Sequence, residues 1–119
     1  MDDPRTLFDM HIAHVGINAA SPEESLAIAS RFEKLMSLPV SSTGISHFAG
    51  TFIEVMDGKG RGEKGHIGFH VNDLRAAAAW FDANGFEIDQ DSWAFKEDGS
   101  PRLVYFKEEI AGFAIHLCA

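Results

Sequence analysis

The sequence predicts an α+β fold in which two βαβββ modules form one cupped mixed sheet with the helices on its outer face. The main observation is an internal repeat: HVGIN (14–18) matches HIGFH (66–70), and AGTFIEV (49–55) matches AGFAIHL (111–117). Each half also reads as a strand, a helix and three further strands, in the same order. Such self-similarity indicates one structural unit that is used twice.

The first module covers about residues 9–57. HIAHVGIN (11–18) is short, apolar and contains β-branched residues, so it is predicted to be a strand. A helix is predicted from about 22 to 37, because a capping-box pattern starts at Ser21 and Pro39 prevents much continuation. PVSSTGISHFAG then carries a weak strand signal, and TFIEVM is a clear strand.

A glycine-rich, charged segment at about 58–64 is expected to be a mobile loop, and its glycine spacing fits no nucleotide-binding fingerprint. The second module covers about residues 65–119 and opens with the strand HIGFHV. A helix follows, with Asn72 or Asp73 as its cap and Gly85 as its end. Strands are predicted at FEID, on both sides of the turn EDGSP, and at GFAIHLCA.

Size and charge limit the kind of protein. The 119 residues are predicted to form a single domain, 1–119, and the formal net charge of −8 argues against a nucleic-acid partner. The lone Cys118 cannot form an internal disulfide, and no apolar run is long enough for a signal peptide or a membrane span. A cytoplasmic protein without a membrane partner is therefore expected.

Strand alternation places one ionisable residue of each repeated strand on the same side of the sheet. Side chains two residues apart share a face, so His14 lies on the face opposite the apolar residues that should pack under the helices. The same count puts Glu54, His66 and His116 on that face. In a curved sheet these side chains converge, and three imidazoles with one carboxylate suit a divalent transition metal.

Four motifs in register resemble the vicinal oxygen chelate superfamily, which includes glyoxalase I, fosfomycin and bleomycin resistance proteins and extradiol dioxygenases. AHVGIN and GHIGFHVNDL resemble its first-strand motifs, and FIEVM and GFAIHL its closing strands. The resemblance covers about residues 11–118 and implies one metal held by His14, Glu54, His66 and His116. The superfamily usually has Glu at the last of these positions, so His116 is a departure.

The resemblance implies a metal-dependent lyase or isomerase that chelates two adjacent oxygens of a small keto acid, sugar acid or hydroxycarbonyl. Glu54 and His116 are the candidate catalytic residues, and His70, Phe52 and Tyr105 the candidate substrate contacts. The metal is left open among Zn, Ni, Co, Mn and Fe(II). His47 is assigned to the wall of the cup without a ligand role, and His11 to the helix side of its strand.

Two other functions stay open: a drug-sequestering protein that binds a small molecule without chemistry, and an accessory domain of an aldolase. The second follows from a narrower resemblance to a domain associated with bacterial aldolases that cleave 2-keto-3-deoxy-6-phosphogluconate. Arg102 and Lys107 could pair with an anionic substrate or be plain surface charges. A homodimer is expected because sheet edges and apolar surface are usually covered.

Overall fold

The computed structural model describes residues 2–119 and confirms the α+β fold with two βαβββ repeats. The helices are α1 (Pro4–Phe8), α2 (Pro22–Met36) and α3 (Leu74–Ala83), and a short 3-10 helix covers Gln90–Ser92. The strands are β1 (His11–Asn18), β2 (Val40–Ser42), β3 (Ser46–Ala49), β4 (Ile53–Met56), β5 (Gly65–His70), β6 (Ala94–Phe95), β7 (Pro101–Ile110) and β8 (Phe113–Cys118). No helix within these residues is long and apolar enough to cross a membrane.

All eight strands join one mixed sheet in the order β2-β3-β4-β1-β5-β8-β7-β6. The first strands of the two modules, β1 and β5, lie antiparallel at the centre. Each is joined in parallel to the closing strand of its own module, β1 to β4 and β5 to β8. The four strands that carry the candidate ligands are therefore the four central strands of the sheet.

The helices pack on one face of this sheet, α2 over β3 and β4 and α3 over β7 and β8. Under α3, Phe81, Val104 and Leu117 belong to the larger apolar core. Under α2, Ala29 and Val55 form a smaller one. The other face of the sheet is left for the polar side chains that alternate with these apolar ones.

The helix starts follow the predicted capping chemistry. The Ser21 hydroxyl accepts the N–H of Glu24 at 3.1 Å, and the Glu24 carboxylate accepts the N–H of Ala20 at 3.4 Å. Asp73, rather than Asn72, caps α3 by accepting the N–H of Ala76 at 3.1 Å. The reason is that a side-chain oxygen at this position satisfies a backbone donor that the first turn of the helix leaves free.

Two local features differ from the sequence-based expectation. FEID forms only an isolated bridge between Ile88 and Phe106, because Asp89 caps the short 3-10 helix and turns the chain away. An irregularity in β1 between Ile12 and His14 shifts the register with β5. As a result, the ring centre of His11 lies 4.8 Å from that of His70. The expectation that His11 lies on the helix side of its strand is therefore wrong.

Candidate metal centre

Three of the four predicted ligands, the histidines, form one group, and the fourth, Glu54, lies against two of them. One ring nitrogen from each of His14, His66 and His116 lies within 4.8 Å of the others. Nε2 of His14 is 3.2 Å from Nε2 of His116. Oε1 of Glu54 is 3.1 Å from Nε2 of His66 and 3.6 Å from Nε2 of His14.

Two of these distances match the spacing of ligands around one metal ion. Two donors that each lie about 2.1 Å from an ion are roughly 3.0–3.4 Å apart in tetrahedral or octahedral geometry. The separations of 3.1 and 3.2 Å fall in that range, and the separation of 3.6 Å lies just above it. The nitrogen and oxygen donors suit a divalent transition ion and leave its identity open.

Two glycines make room for the imidazoles. In the register of β1 with β5, His14 stands opposite Gly68 and His66 opposite Gly16, so each module's glycine faces the other module's histidine. A Cβ atom on Gly16 would lie 2.0 Å from the ring of His66. A Cβ on Gly68 would lie 2.6 Å from the ring of His14 and 2.7 Å from that of His116. The imidazoles therefore occupy the space that a side chain at either glycine would need.

Burial keeps two of the imidazoles neutral. His116 is only 2% exposed, and burial, reinforced by the neighbouring His14 and His66, lowers its pKa to about 3. Burial also lowers the pKa of His14, against the opposing charge of Glu54. A neutral imidazole has the lone pair that a metal ion needs, so these side chains are in the binding form at neutral pH.

Glu54 is held as a carboxylate. Burial alone would raise its pKa, but hydrogen bonds from His66 and from the Ser46 hydroxyl, together with the nearby histidines, lower the pKa overall. Ser46 donates to Oε2 of Glu54 at 2.8 Å, while Oε1 faces the histidines. Ser46 fixes the orientation of this carboxylate, and it shares the face of Glu54 because the two lie on the paired strands β3 and β4.

The second ring nitrogen of His116 lacks the support that metal-binding histidines usually have. Such a histidine normally donates its other N–H to an oxygen. Nδ1 of His116 is buried and has no hydrogen-bond partner of ordinary geometry among residues 2–119. The position of this ring is therefore set by packing, against Tyr105 at 5.0 Å between ring centres and against His14 at 5.0 Å.

This candidate metal centre, formed by His14, Glu54, His66 and His116, lines a cavity of about 380 Å³. Of the predicted substrate contacts, Tyr105 lines this cavity and burial raises its pKa, which keeps the phenol protonated. His70 and Phe52 are not among the residues that line it: His70 lies beside His11, and Phe52 is 55% exposed. The lining residues other than the four candidate ligands and Tyr105 are Thr43, Ile45, Phe48, Met56, Arg61, Arg102, Leu103 and Cys118.

His47 faces α2 and not the cup. Its Nδ1 is 2.6 Å from the Ser25 hydroxyl and 3.0 Å from Oδ1 of Asp57. The expectation that His47 lines the cup is wrong because its strand neighbours Ser46 and Phe48 occupy the cup face, which leaves position 47 to the helix side.

Sequence reasoning missed Ser46 and Arg61. Alternation could have found Ser46, since it pairs with the strand that carries Glu54. Arg61 comes from the glycine-rich loop, where no periodicity exists to indicate which way a side chain points. Lys107, in contrast, pairs with Glu87 at 2.7 Å on the exposed surface, away from the cavity.

No protein-family model matches this sequence, and no curated protein does. Solved structures do match its fold. A hypothetical protein from Bacillus halodurans superposes with a TM-score of 0.62 at 16% identity, covering 92% of this chain and 93% of its own.

Several of the matching structures are methylmalonyl-CoA epimerases. One, in complex with methylmalonyl-CoA and ammonium, has a TM-score of 0.61 at 14% identity and covers 91% of this chain and 92% of its own. The enzyme from Mycobacterium tuberculosis has a TM-score of 0.63 at 15% identity, with coverage of 90% and 85%. This chain therefore shares the fold of the methylmalonyl-CoA epimerases over about nine-tenths of its length.

Proposed function

We propose that this protein is a metal-dependent isomerase or lyase of the vicinal oxygen chelate type, acting on a small metabolite with two adjacent oxygens. The observation that carries this proposal is the group of three histidines, His14, His66 and His116, in the wall of a cavity. Glu54 lines the same cavity and lies against His66 and His14. His66 and His116 are buried, and His14 and Glu54 are half-buried. Burying polar groups is costly unless they have partners, so a group of this kind from both modules indicates a ligand. The epimerases that share the fold are isomerases, which supports this class of reaction.

A divalent ion held by these four residues would supply a Lewis acid that binds two adjacent substrate oxygens and stabilises negative charge on them. The protein supplies the rest. The cavity of about 380 Å³ admits a small metabolite, and Phe48 and Leu103 make part of its wall apolar.

Glu54 is the better candidate for moving the proton. Since its pKa is lowered, the carboxylate is ionised at neutral pH and can accept a proton from carbon. Ser46 holds it in place through Oε2. The lowered pKa makes both Glu54 and His116 weak bases, but Glu54 carries a negative charge and is less buried than His116, which is 2% exposed. We therefore assign His116 to metal binding alone, and Glu54 to proton transfer in addition to metal binding.

The test combines metal content with proton exchange. The purified protein is analysed for bound metal, and the exchange of carbon-bound protons for deuterium is followed by proton NMR with pyruvate and hydroxypyruvate as probes. We expect a stoichiometric metal, exchange that stops with a chelator, and at least about a hundredfold loss in Glu54→Gln. His11→Gln, a histidine outside the cluster, is the matched control and should leave the rate unchanged.

The outcome also separates the alternatives. A protein that binds no metal, or that exchanges protons equally well in Glu54→Gln, would contradict the proposed function. Metal and probe binding without any exchange would favour the small-molecule-binding alternative instead.

A further inference from the structure

The glycine-rich loop between the modules is attached to the end of β1. The side chain of Asn18, at the end of β1, donates from Nδ2 to the carbonyl of Gly62 at 3.0 Å and accepts the N–H of Gly60 at 3.1 Å through Oδ1. These two bonds flank Arg61 on both sides. The loop was expected to be mobile, but one amide side chain fixes the backbone around this arginine.

Glycine is required where the loop closes. Gly62 has a φ of +86°, and a Cβ atom there would lie 1.9 Å from the carbonyl oxygen of Gly65. A side chain at this position would force the backbone apart. The course of the loop, and with it the position of Arg61, is therefore specified by the sequence.

Arg61 lies over the cavity wall. Its guanidinium is 4.4 Å from the ring centre of Tyr105, and both residues line the cavity that contains the histidine cluster. The Tyr105 ring in turn lies 5.0 Å from that of His116. Arg61 is thus connected to the metal centre through a single aromatic side chain.

Much of the hydrogen-bonding capacity of Arg61 is unused. A guanidinium has five N–H donors, and the bond from Nη1 to Oδ2 of Asp89, at 3.3 Å, is its one side-chain hydrogen bond within residues 2–119. Asp89 also accepts the N–H of Asp91 through its other oxygen. The Arg61 side chain is 49% exposed, so this ion pair contributes little to stability and does not explain the anchored loop.

We propose that Arg61 binds an anionic group of the substrate, a carboxylate or a phosphate, at the mouth of the cavity. This inference rests on the proposed function, because it places the anion on the molecule whose adjacent oxygens reach the metal centre. The planar guanidinium fork matches both anions. The chain carries a net charge of −8, so an anionic ligand needs a local cation to bind here.

The substrate is then a short acid with an oxygen chelate at one end and a second anion at the other. Asn18 is a positioning residue that holds the arginine where the second anion arrives. Arg102 also lines the cavity and adds positive charge to the same region.

The test uses matched pairs of probes with zinc-loaded protein, measured by isothermal titration calorimetry. α-Ketoglutarate is compared with α-ketovalerate, which lacks the distal carboxylate, and phosphohydroxypyruvate with hydroxypyruvate, which lacks the phosphate. The two pairs tell whether the anion is a carboxylate or a phosphate. We expect at least one anionic member to bind roughly tenfold to a hundredfold more tightly than its partner, as for a hydrogen bond to a charged group.

The variants assign this preference to Arg61. Arg61→Ala should abolish it, Arg61→Lys should retain only part of it, and Asn18→Ala should reduce it without changing the affinity for zinc or for α-ketovalerate. Lys59→Ala removes the same charge from the same loop at an exposed residue that does not line the cavity, and it should keep the preference.

A preference that persists in Arg61→Ala, or wild-type protein without any preference in either pair, would overturn the inference. The metal is tested separately, by titrating inorganic phosphate and α-ketoglutarate into the metal-free protein. If the protein takes up no zinc but the metal-free protein binds these anions in a way that depends on Arg61, the anion site is supported and the metal chemistry is refuted. Absence of Arg61-dependent binding in every arm would refute the anion site.

Discussion

Gly16 and Gly68 determine where the imidazoles of the metal centre can lie. Each stands across the β1–β5 pair from a histidine of the other module, and the histidine ring fills the space where a side chain would be. The repeated His-X-Gly spacing is thus a packing arrangement that operates between modules. A single histidine in a strand, without the glycine two residues later, does not indicate this packing.

Gly16→Ala should damage the metal centre more than the fold. The new methyl group would meet the ring of His66 at 2.0 Å, so this buried ring must rotate away from Glu54. By analogy with the loss of groups that orient metal ligands, we expect zinc affinity to fall about 10–100-fold in competition with a chromogenic chelator. Gly58→Ala, where no atom lies within 4 Å of the added Cβ, is the control. Equal affinities in the two variants would contradict this account of the spacing.

The buried histidines should make the metal-free protein sensitive to acid. Burial lowers the pKa of His116 to about 3 in the folded state, whereas the unfolded chain takes up this proton near its ordinary value of about 6.5. Below that value the unfolded state binds more protons, so stability falls by about 1.4 kcal/mol per pH unit for this group until the folded pKa is reached. The lowered pKa values of His14 and Glu54 act in the same direction.

Urea unfolding at pH 7.5 and at pH 5.0 measures this effect. His116 alone should account for a loss of about 2 kcal/mol between them. In His116→Gln the free energy of unfolding should fall less between the two pH values than in the wild type. In His11→Gln it should fall by the same amount as in the wild type. A stability that does not vary with pH would show that His116 is not held neutral.

The ligand set could be predicted from the sequence because strand alternation and the repeat both point to the same four positions. The side chains that surround the ligand set could not be predicted from the sequence. Ser46 and Arg61 reach the site through a neighbouring strand and a loop, and their positions depend on tertiary contacts such as those of Asn18. Phe52 and His70 share a face with the ligands by alternation but lie too far along their strands to line the cavity.

At the scale of elements, the predicted bounds of β1 and α2 lie within one residue of the observed ones. β1 spans the predicted residues 11–18, and α2 ends one residue earlier than predicted, where Ser37 adopts a φ of +56°. The short helix α1 is missing from the prediction although Asp3 caps it and Pro4 opens it. That pattern was present in the sequence, but five residues are too few for an apolar periodicity.

A buried polar cluster fixes α2 to the sheet. The hydroxyl of Ser25, fully buried in the first turns of the helix, bonds to the carbonyl of Pro22 at 3.0 Å and contacts both His47 on β3 and Asp57 after β4. This cluster lies on the helix side of the sheet, across from the metal centre. It orients the helix whose packing supports the strand that carries Glu54.

Ser25→Ala should destabilise the fold without changing metal affinity. His47 and Asp57 keep their contact of 3.0 Å, but both lose a buried partner, which costs about 1–3 kcal/mol. Chemical denaturation of the metal-free protein measures the loss, and zinc titration measures the site. Ser41→Ala, on the exposed edge strand β2, should change neither quantity. A large drop in zinc affinity in Ser25→Ala would show that the two faces of the sheet are coupled.

At the scale of the whole molecule, one chain supplies the complete set of candidate ligands. A homodimer is not needed to assemble the metal centre, and dimerisation stays a prediction. Large apolar side chains exposed near the sheet edges are its basis, among them Ile45 and Phe95, which are 66% and 51% exposed. Sedimentation of the purified protein would measure it.

Metal binding should stabilise both modules together. His14 and Glu54 belong to the first module and His66 and His116 to the second, so an ion bound by all four connects the two halves across the β1–β5 pair. Zinc at a hundredfold its dissociation constant stabilises the folded state by about 2.7 kcal/mol, which corresponds to a rise of roughly 10 °C in Tm for a domain of this size. Calorimetry should show this rise in a single transition, because neither module can unfold without losing ligands. His66→Ala should remove the rise, and His11→Ala should retain it. Two transitions of which only one responds to zinc, or an equal rise in His66→Ala, would show that the ion is not held between the modules.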